Sequence, residues 1–157
     1  MIIIEGPDGA GKSTLAESLA RDLDLNILKM TINGGQSAAE YLQKLQCDGV
    51  VMDRCWISEQ IYSDIFGREP RLDVDECEWL TDVCADSNIP IVIVLPPLPV
   101  VMARLVKRGD EHEEVIANID EIYRRYVDWI DNHAGQCVVV DDNGVEACKS
   151  EVLKCML

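Results

Sequence analysis

Apolar residues occur along this chain in two alternating patterns: short continuous runs, and longer stretches in which every third or fourth residue is apolar. Continuous runs are typical of buried strands, and the longer spacing is typical of helices that cover one face of a sheet. The runs predict five strands, at residues 1–5, 25–30, 49–52, 89–95 and 137–140. The periodic stretches predict helices at residues 12–23, 36–47, 56–66, 73–84, 99–107, 113–132 and 145–157.

The alternation of strands and helices predicts an α/β fold with a parallel sheet covered on both faces. Right-handed crossovers make such a sheet doubly wound, and its ligand binds beyond the carboxyl ends of the strands. Gly6, Asp53 and Pro96 follow three of the predicted strands and are therefore expected at that edge. With 157 residues and no linker, the chain is expected to form a single domain, residues 1–157.

Composition narrows the classes of function. A formal net charge of −15 disfavours a protein that coats nucleic acid, although a few local cations can still hold a small anion. No apolar run approaches the length of a membrane span, and no signal peptide is predicted. The seven cysteines form no C-x-x-C pair and are expected to be small buried apolar residues in a reducing compartment. A cytoplasmic location is therefore expected.

A glycine-rich segment joins the first predicted strand to the first predicted helix. Residues 6–14 read GPDGAGKST and match the phosphate-binding P-loop pattern GxxxxGK[ST]. Main-chain N–H groups of such a loop surround phosphates, and the helix N-terminus favours negative charge. Lys12 is predicted to reach the β- and γ-phosphates of ATP, and Ser13 to ligate Mg²⁺. The predicted ATP-binding residues are Gly6, Asp8, Gly9, Ala10, Gly11, Lys12, Ser13 and Thr14.

Two further groups of polar residues fit the chemistry of phosphoryl transfer. Asp53 ends an apolar strand and is predicted to hold Mg²⁺ or to orient the acceptor oxygen, and the fork of Arg54 suits an acceptor phosphate. Arg104, Lys107 and Arg108 lie near the end of a predicted helix, before a glycine. Residues 104–114 are therefore predicted to form a basic lid that brings positive charge to the migrating phosphoryl group.

The chain resembles the thymidylate kinases, a family of nucleoside monophosphate kinases. Residues 5–14 resemble the family motif E-G-x-D-G-A-G-K-[ST]-T. Residues 53–63 fall on D-R-[YH]-x-x-S-x-x-A-Y-Q, where Asp53, Arg54, Ser58 and Tyr62 match. A Gly/Arg-rich turn with Arg68 and Arg71 follows. Residues 94–97 leading to Arg104 and Arg108 resemble the family's V-P-P turn and lid helix.

The resemblance implies a three-layer P-loop NTPase fold with a five-stranded parallel sheet in the order 2-3-1-4-5. It also implies transfer of the γ-phosphoryl group of ATP, with Mg²⁺, to a deoxynucleoside monophosphate in nucleotide biosynthesis, by a possible homodimer. The implied acceptor-binding residues are Asp8, Arg54, Ser58, Tyr62, Arg68 and Arg71, and the implied catalytic residues are Lys12, Asp53, Arg54, Arg104 and Arg108.

Departures from the family pattern leave the acceptor open. The chain is short between residues 23 and 49, which resembles a compact phage-type variant of the family, and Ser63 replaces the glutamine expected to read thymine. Tyr41, Trp56 and Tyr62 each fit either a base-stacking role or the core. One alternative is a P-loop kinase that phosphorylates a hydroxyl group, on a nucleoside or a hydroxymethylated pyrimidine, free or in DNA. Another is a non-catalytic module that uses ATP as a switch.

Overall fold

The computed structural model describes residues 1–31, 36–109, 113–141 and 144–155, and strands and helices alternate through most of this length. Its elements are β1 (Ile2–Glu5), α1 (Lys12–Leu23), β2 (Asn26–Lys29), α2 (Ala38–Leu45), β3 (Val50–Asp53), α3 (Trp56–Ile65), α4 (Val74–Asp86), β4 (Ile91–Val94), α5 (Leu98–Arg108), α6 (Glu113–Ala117), α7 (Ile119–Asn132), β5 (Cys137–Val140) and α8 (Val145–Cys155).

The strands form one parallel sheet in the order β2-β3-β1-β4-β5, as the family resemblance implied. Strand β1 is central, and Ile4 pairs in register with Asp53 at the end of β3. On the far side of β3, Lys29 of β2 pairs with the same aspartate. The register therefore brings the carboxyl ends of β1, β2 and β3 to one edge, directly beside the loop that follows β1.

Two apolar layers cover the two faces of the sheet. Ile2 and Ile4 of β1 pack with α1 and α8 on one face. Ile3 packs on the other face, in a larger core to which α2, α3, α4, α5 and α7 contribute. The side chains of all three isoleucines are fully buried. The arrangement is the three-layer fold expected from the continuous apolar strands.

Capping boxes mark the start of two helices. Asp73 accepts a hydrogen bond from the Glu76 N–H at 2.8 Å, and the Glu76 side chain accepts one from the Asp73 N–H at 3.1 Å. Asp73 is therefore the N-cap of α4, and the helix begins at Val74. Ser37 and Glu40 form the same reciprocal pair ahead of α2. Each box satisfies main-chain donors that the first turn of a helix leaves without partners.

The prediction of one long helix over residues 113–132 is wrong, because the helix is interrupted at Asn118. Its side-chain Nδ2 donates to the Glu114 carbonyl at 2.8 Å. In a continuous helix, this carbonyl would accept the main-chain N–H of Asn118. That N–H instead donates to the Val115 carbonyl, one residue nearer. Asparagine competes in this way for backbone partners, so the stretch becomes α6 and α7.

Several smaller expectations are also resolved. The third strand ends at Asp53 rather than at residue 52. Tyr41 and Trp56 belong to the core, where their rings meet edge to face with centroids 5.3 Å apart. Cys55, Cys77, Cys84 and Cys148 are buried as expected, whereas Cys47 is exposed. Among the described helices, none combines the length and apolar character that a membrane span requires. Residues 156–157 of the last predicted helix lie outside the described residues.

Candidate active site

The loop between β1 and α1 depends on glycine where it leaves the sheet. Gly6 has φ of 139°, and a β-carbon there would lie 2.2 Å from the Val94 carbonyl oxygen. Gly9 has φ of 78°, and a β-carbon there would lie 3.0 Å from the Val101 carbonyl oxygen of α5. A side chain at either position meets main-chain atoms of an adjoining element, so glycine lets the loop pack tightly against β4 and α5.

Lys12, the first residue of α1, lies beneath this loop with 6% of its surface exposed. Its ammonium group donates to the Pro7 carbonyl at 2.8 Å. Burial and, to a smaller extent, the charge of Arg54 lower the pKa of Lys12 to about 8, against the opposing effect of Asp8 and other carboxylates. The Lys12 ammonium is thus shielded from solvent and bonded to a neutral carbonyl. An anion bound in the loop would stabilise its charged form.

Ser13 and Asp53, the two residues predicted to bind Mg²⁺, contact each other directly. The Ser13 hydroxyl donates to Asp53 Oδ2 at 2.9 Å. The two residues are brought together because α1 packs over β3, the strand that ends at Asp53. Within the described residues no three His, Cys, Asp or Glu side chains group as a metal site. One hydroxyl and one carboxylate nevertheless fit Mg²⁺, which takes few protein ligands and completes its shell with water and phosphate.

Arg54, Asp8 and Tyr62 form a compact polar cluster beside the loop. The Arg54 guanidinium is ion-paired with the Asp8 carboxylate and lies 5.3 Å from the centroid of the Tyr62 ring. The Tyr62 hydroxyl donates to Asp8 Oδ2 at 2.7 Å. Burial acts to raise the pKa of Asp8, but the charges of Arg54 and Lys12 outweigh it and hold that pKa below its ordinary value. Asp8 is therefore an anchored carboxylate.

One nitrogen of Arg54 is not used by this cluster. Within the described residues its Nη1 is buried and has no hydrogen-bond partner. An unpaired buried donor costs free energy comparable to a lost hydrogen bond. A ligand bound in the cavity that offers an acceptor oxygen to Nη1 would satisfy this donor.

A cavity of about 710 Å³ opens at the carboxyl edge of the sheet, above the loop. Two carboxylates, of Asp8 and Asp53, and a larger set of cations line it: Lys12, Lys29, Arg54, Arg104, Lys107 and Arg108. The cavity is thus locally positive although the whole chain is strongly acidic. This charge distribution suits a polyphosphate.

Sequence reasoning missed part of the cavity wall. The missed residues are Lys29, Met30 and Thr31 at the end of β2, and Val145 and Cys148 at the start of α8. One signal could have found four of them: Lys29, Met30 and Thr31 lie at the end of the second predicted strand, and Val145 starts the helix after the fifth, so all four belong to the same sheet edge. No motif marks them.

The predicted lid helix contacts the loop through Arg104. Its Nη1 donates to the Ala10 carbonyl at 3.2 Å and lies 3.5 Å from the Gly9 carbonyl. Arg108, one turn later, is exposed and lines the cavity near the C-terminus of α5. Residues 110–112 of the predicted lid lie outside the described residues.

Four of the six residues predicted to bind the acceptor do not line this cavity: Tyr62, which contacts the lining residue Asp8, and Ser58, Arg68 and Arg71. Ser58 is buried, and its hydroxyl donates to the Cys55 carbonyl at 3.2 Å. The Arg68 guanidinium lies 5.5 Å from the centroid of the Phe66 ring, on an exposed surface. The Arg71 N–H donates to Glu59. Their roles in acceptor binding stay predictions.

Comparison with known proteins identifies a relative in a bacterial prophage. No family model matches the chain. The SPbeta prophage-derived uncharacterized protein YorR of Bacillus subtilis is 31% identical over 132 residues, which is 79% of this chain and 79% of YorR. The crystal structure of YorR in complex with phosphorylated GDP aligns with a TM-score of 0.80 at 25% identity, over 98% of this chain and 94% of that one.

More distant solved structures share the fold. Thymidylate kinase from Candida albicans aligns with a TM-score of 0.63 at 17% identity, over 99% of this chain and 92% of that one. Deoxyadenosine kinase from M. mycoides with bound dCTP aligns with a TM-score of 0.62 at 17% identity, over 98% and 97% of the two chains. At these identities the likeness concerns the fold alone.

Proposed function

Because this chain belongs to the family of the prophage protein YorR and has the fold of the thymidylate kinase-like P-loop kinases, we propose that it transfers the γ-phosphoryl group of ATP to a (deoxy)nucleoside monophosphate. One observation carries the proposal. Lys12, the Ser13–Asp53 pair and Arg54 meet around a single positive cavity at the carboxyl edge of the sheet. Each of these groups serves a phosphate or its counter-ion.

The donor side of the reaction would use the loop and the start of α1. Main-chain N–H groups of the loop and the Lys12 ammonium would bind the β- and γ-phosphates of ATP, with Lys12 exchanging the Pro7 carbonyl for a phosphate oxygen. Ser13 and Asp53 would hold Mg²⁺, which neutralises charge on the phosphates when it is bound. Phosphoryl transfer requires little more than such positioning and charge stabilisation.

The acceptor side would use Arg54. Its ion pair with Asp8 and its contact with the Tyr62 ring fix the guanidinium plane, and the unpartnered Nη1 leaves a donor, among the described residues, for an acceptor phosphate. A guanidinium binds phosphate through paired N–H groups, which favours a nucleoside monophosphate over a hydroxyl acceptor. The family relative was crystallised with phosphorylated GDP, so guanine nucleotides belong among the acceptors to be tested.

The direct test is ADP release with ATP, Mg²⁺ and a panel of acceptors. The panel contains the common ribo- and deoxynucleoside monophosphates, the 5-hydroxymethylpyrimidine deoxynucleoside monophosphates and the matching nucleosides without phosphate. We expect turnover with at least one monophosphate and none with its nucleoside. Turnover with nucleosides alone would show that the acceptor group is a hydroxyl and not a phosphate. No turnover with any compound would contradict the proposal that the protein is a kinase.

Replacing Arg54 with alanine should raise the KM for the acceptor monophosphate by roughly ten- to a hundredfold, the loss expected for a charge-assisted hydrogen bond. The KM for ATP should change far less. Arg124→Ala is the matched control, since Arg124 lies exposed on α7 and pairs with nearby carboxylates of that helix. An acceptor KM that Arg54→Ala leaves unchanged would contradict the assigned role.

Removing either predicted magnesium ligand should raise the Mg²⁺ concentration required for half-maximal turnover. We expect Ser13→Ala and Asp53→Asn each to raise it by at least about tenfold, the scale seen when support for a metal is lost. Ser13→Thr retains the hydroxyl and serves as the control. A Mg²⁺ titration that all three variants share with the wild type would show that the metal binds elsewhere.

A further inference from the structure

Glu5, the last residue of β1, is a carboxylate with no exposed surface, surrounded by hydrogen-bond donors. Its Oε1 accepts the main-chain N–H of Cys55 at 2.6 Å and that of Ser58 at 3.2 Å. Its Oε2 accepts the Gly6 N–H at 3.1 Å and the Tyr126 hydroxyl at 3.0 Å. A buried carboxylate is tolerated only with such compensation.

These donors come from parts of the chain that are distant in sequence. Gly6 begins the phosphate loop, Tyr126 belongs to α7, and Cys55 and Ser58 lie at the start of α3. Cys55 is the N-cap of α3 but provides no side-chain cap. Glu5 therefore caps α3 from the neighbouring strand, satisfying two of the N–H groups at the start of that helix.

Arg54 stands between β3 and this capped turn in an uncommon backbone conformation. Its φ is 74°, in the left-handed region that is disfavoured for residues with a β-carbon. Two hydrogen bonds to consecutive residues of β1 hold it there. The Arg54 N–H donates to the Ile4 carbonyl at 2.9 Å, and the next N–H along the chain donates to Glu5. Strain of this kind persists only when the surroundings impose it.

We propose that Glu5 is a positioning residue that holds Arg54 in this conformation and thereby aims its guanidinium at the acceptor phosphate. Without the carboxylate, the chain at residue 54 can return to ordinary φ values, and the guanidinium leaves Asp8 and Tyr62. The part of this inference that concerns the acceptor rests on the proposed function. The part that concerns the backbone at Arg54 does not.

The test is a double-mutant cycle of Glu5→Gln with Arg54→Gly. Glutamine keeps the shape of Glu5 but not its charge. Because both carboxylate oxygens of Glu5 accept main-chain N–H groups, the amide nitrogen of glutamine would face a donor at either position and lose those hydrogen bonds. Glycine removes the guanidinium and also adopts positive φ without cost. In the Glu5→Gln variant we expect an acceptor KM raised roughly tenfold and an ATP KM changed by less than about threefold.

In the Arg54→Gly background, Glu5→Gln should add no further rise in acceptor KM, because the residue through which it acts is gone. Thermal unfolding gives the second readout. Glu5→Gln should lower Tm by several degrees when Arg54 is present. In the Arg54→Gly background the loss of Tm should be clearly smaller, since no left-handed strain needs to be held there. If Glu5→Gln alone does not fold, the double variant should.

Thr81→Val is the control for buried polar loss in general. Thr81 is buried, accepts the Trp56 indole N–H at 3.1 Å and lies away from the cavity. The Thr81→Val substitution should lower Tm without changing the acceptor KM. Additive KM effects, an equal loss of Tm in both backgrounds, or failure of the double variant to fold would each overturn the proposal. If the wild type shows no turnover, the proposed function fails, while the Tm cycle still decides the role of Glu5 at residue 54.

Discussion

Replacing Lys12 with methionine is expected to lower kcat by about a thousandfold or more while leaving the protein folded. The ammonium is the cation that lies beneath the phosphate loop, and it donates to the Pro7 carbonyl, a group that a phosphate oxygen can replace. Methionine fills a similar volume and carries no charge. Charge stabilisation of the migrating phosphoryl group is therefore lost with little change in packing.

The same substitution should leave the free energy of unfolding unchanged or raised. Burial lowers the pKa of Lys12 from 10.5 to about 8, so protonated Lys12 costs the folded state roughly 3 kcal/mol at pH 7. Because the pKa is lower in the folded state, the unfolded state binds more protons between pH 8 and 10.5, and this cost disappears as the pH rises through that window. The stability gain of Lys12→Met should therefore be largest near pH 7 and fade by about pH 10.5.

Steady-state kinetics and urea unfolding at several pH values measure both effects. Lys149→Met is the matched control, because Lys149 is also a mostly buried lysine but is ion-paired with Asp22 and Glu146 outside the cavity. It should lose stability and keep its kcat, the opposite pattern. A Lys12→Met variant with kcat within about tenfold of the wild type would contradict the role assigned to Lys12.

Removal of the guanidinium of Arg108 is expected to have the second largest effect, a loss of about 10²- to 10³-fold in kcat for Arg108→Ala. Residues 6–14 contain no arginine, so the positive charge for the migrating group has to come from another element. Arg108 lines the cavity, and its charge helps to lower the pKa of Asp8 in the phosphate loop. The ATP KM should change little if the cation acts mainly in the transition state.

Arg104→Ala should behave differently. Arg104 donates to the Ala10 carbonyl and so supports the loop itself, and its loss should raise the ATP KM as well as lower kcat. Val106→Ala is the control on the same helix, since Val106 is 67% exposed and does not line the cavity. Arg108→Lys should retain part of the activity. If Arg108→Ala changes only the ATP KM, Arg108 binds ATP and does not stabilise the transition state.

The outline of the fold could be predicted because it rests on local patterns. Four of the five strands in the described residues are short, mainly apolar runs, β2 being the exception, and most helices show their own periodicity and caps, as at Asp73. The interruption at Asn118 could not be read in this way, because an asparagine within a periodic stretch is compatible with either a continuous helix or a break. The side-chain bond to the Glu114 carbonyl decides between them only in the folded chain.

For this protein, the sequence by itself determined the phosphate loop, the apolar run that leads to Asp53 and the alternation that implies a parallel sheet. These depend on residues that are close together in the chain and on the geometry of single elements. Only the tertiary structure decided that Lys29 lies beside Asp53, that Glu5 caps α3, and that Arg54 adopts a left-handed backbone conformation. Those features depend on strand register and on hydrogen bonds between residues some 50 positions apart, which no local pattern encodes.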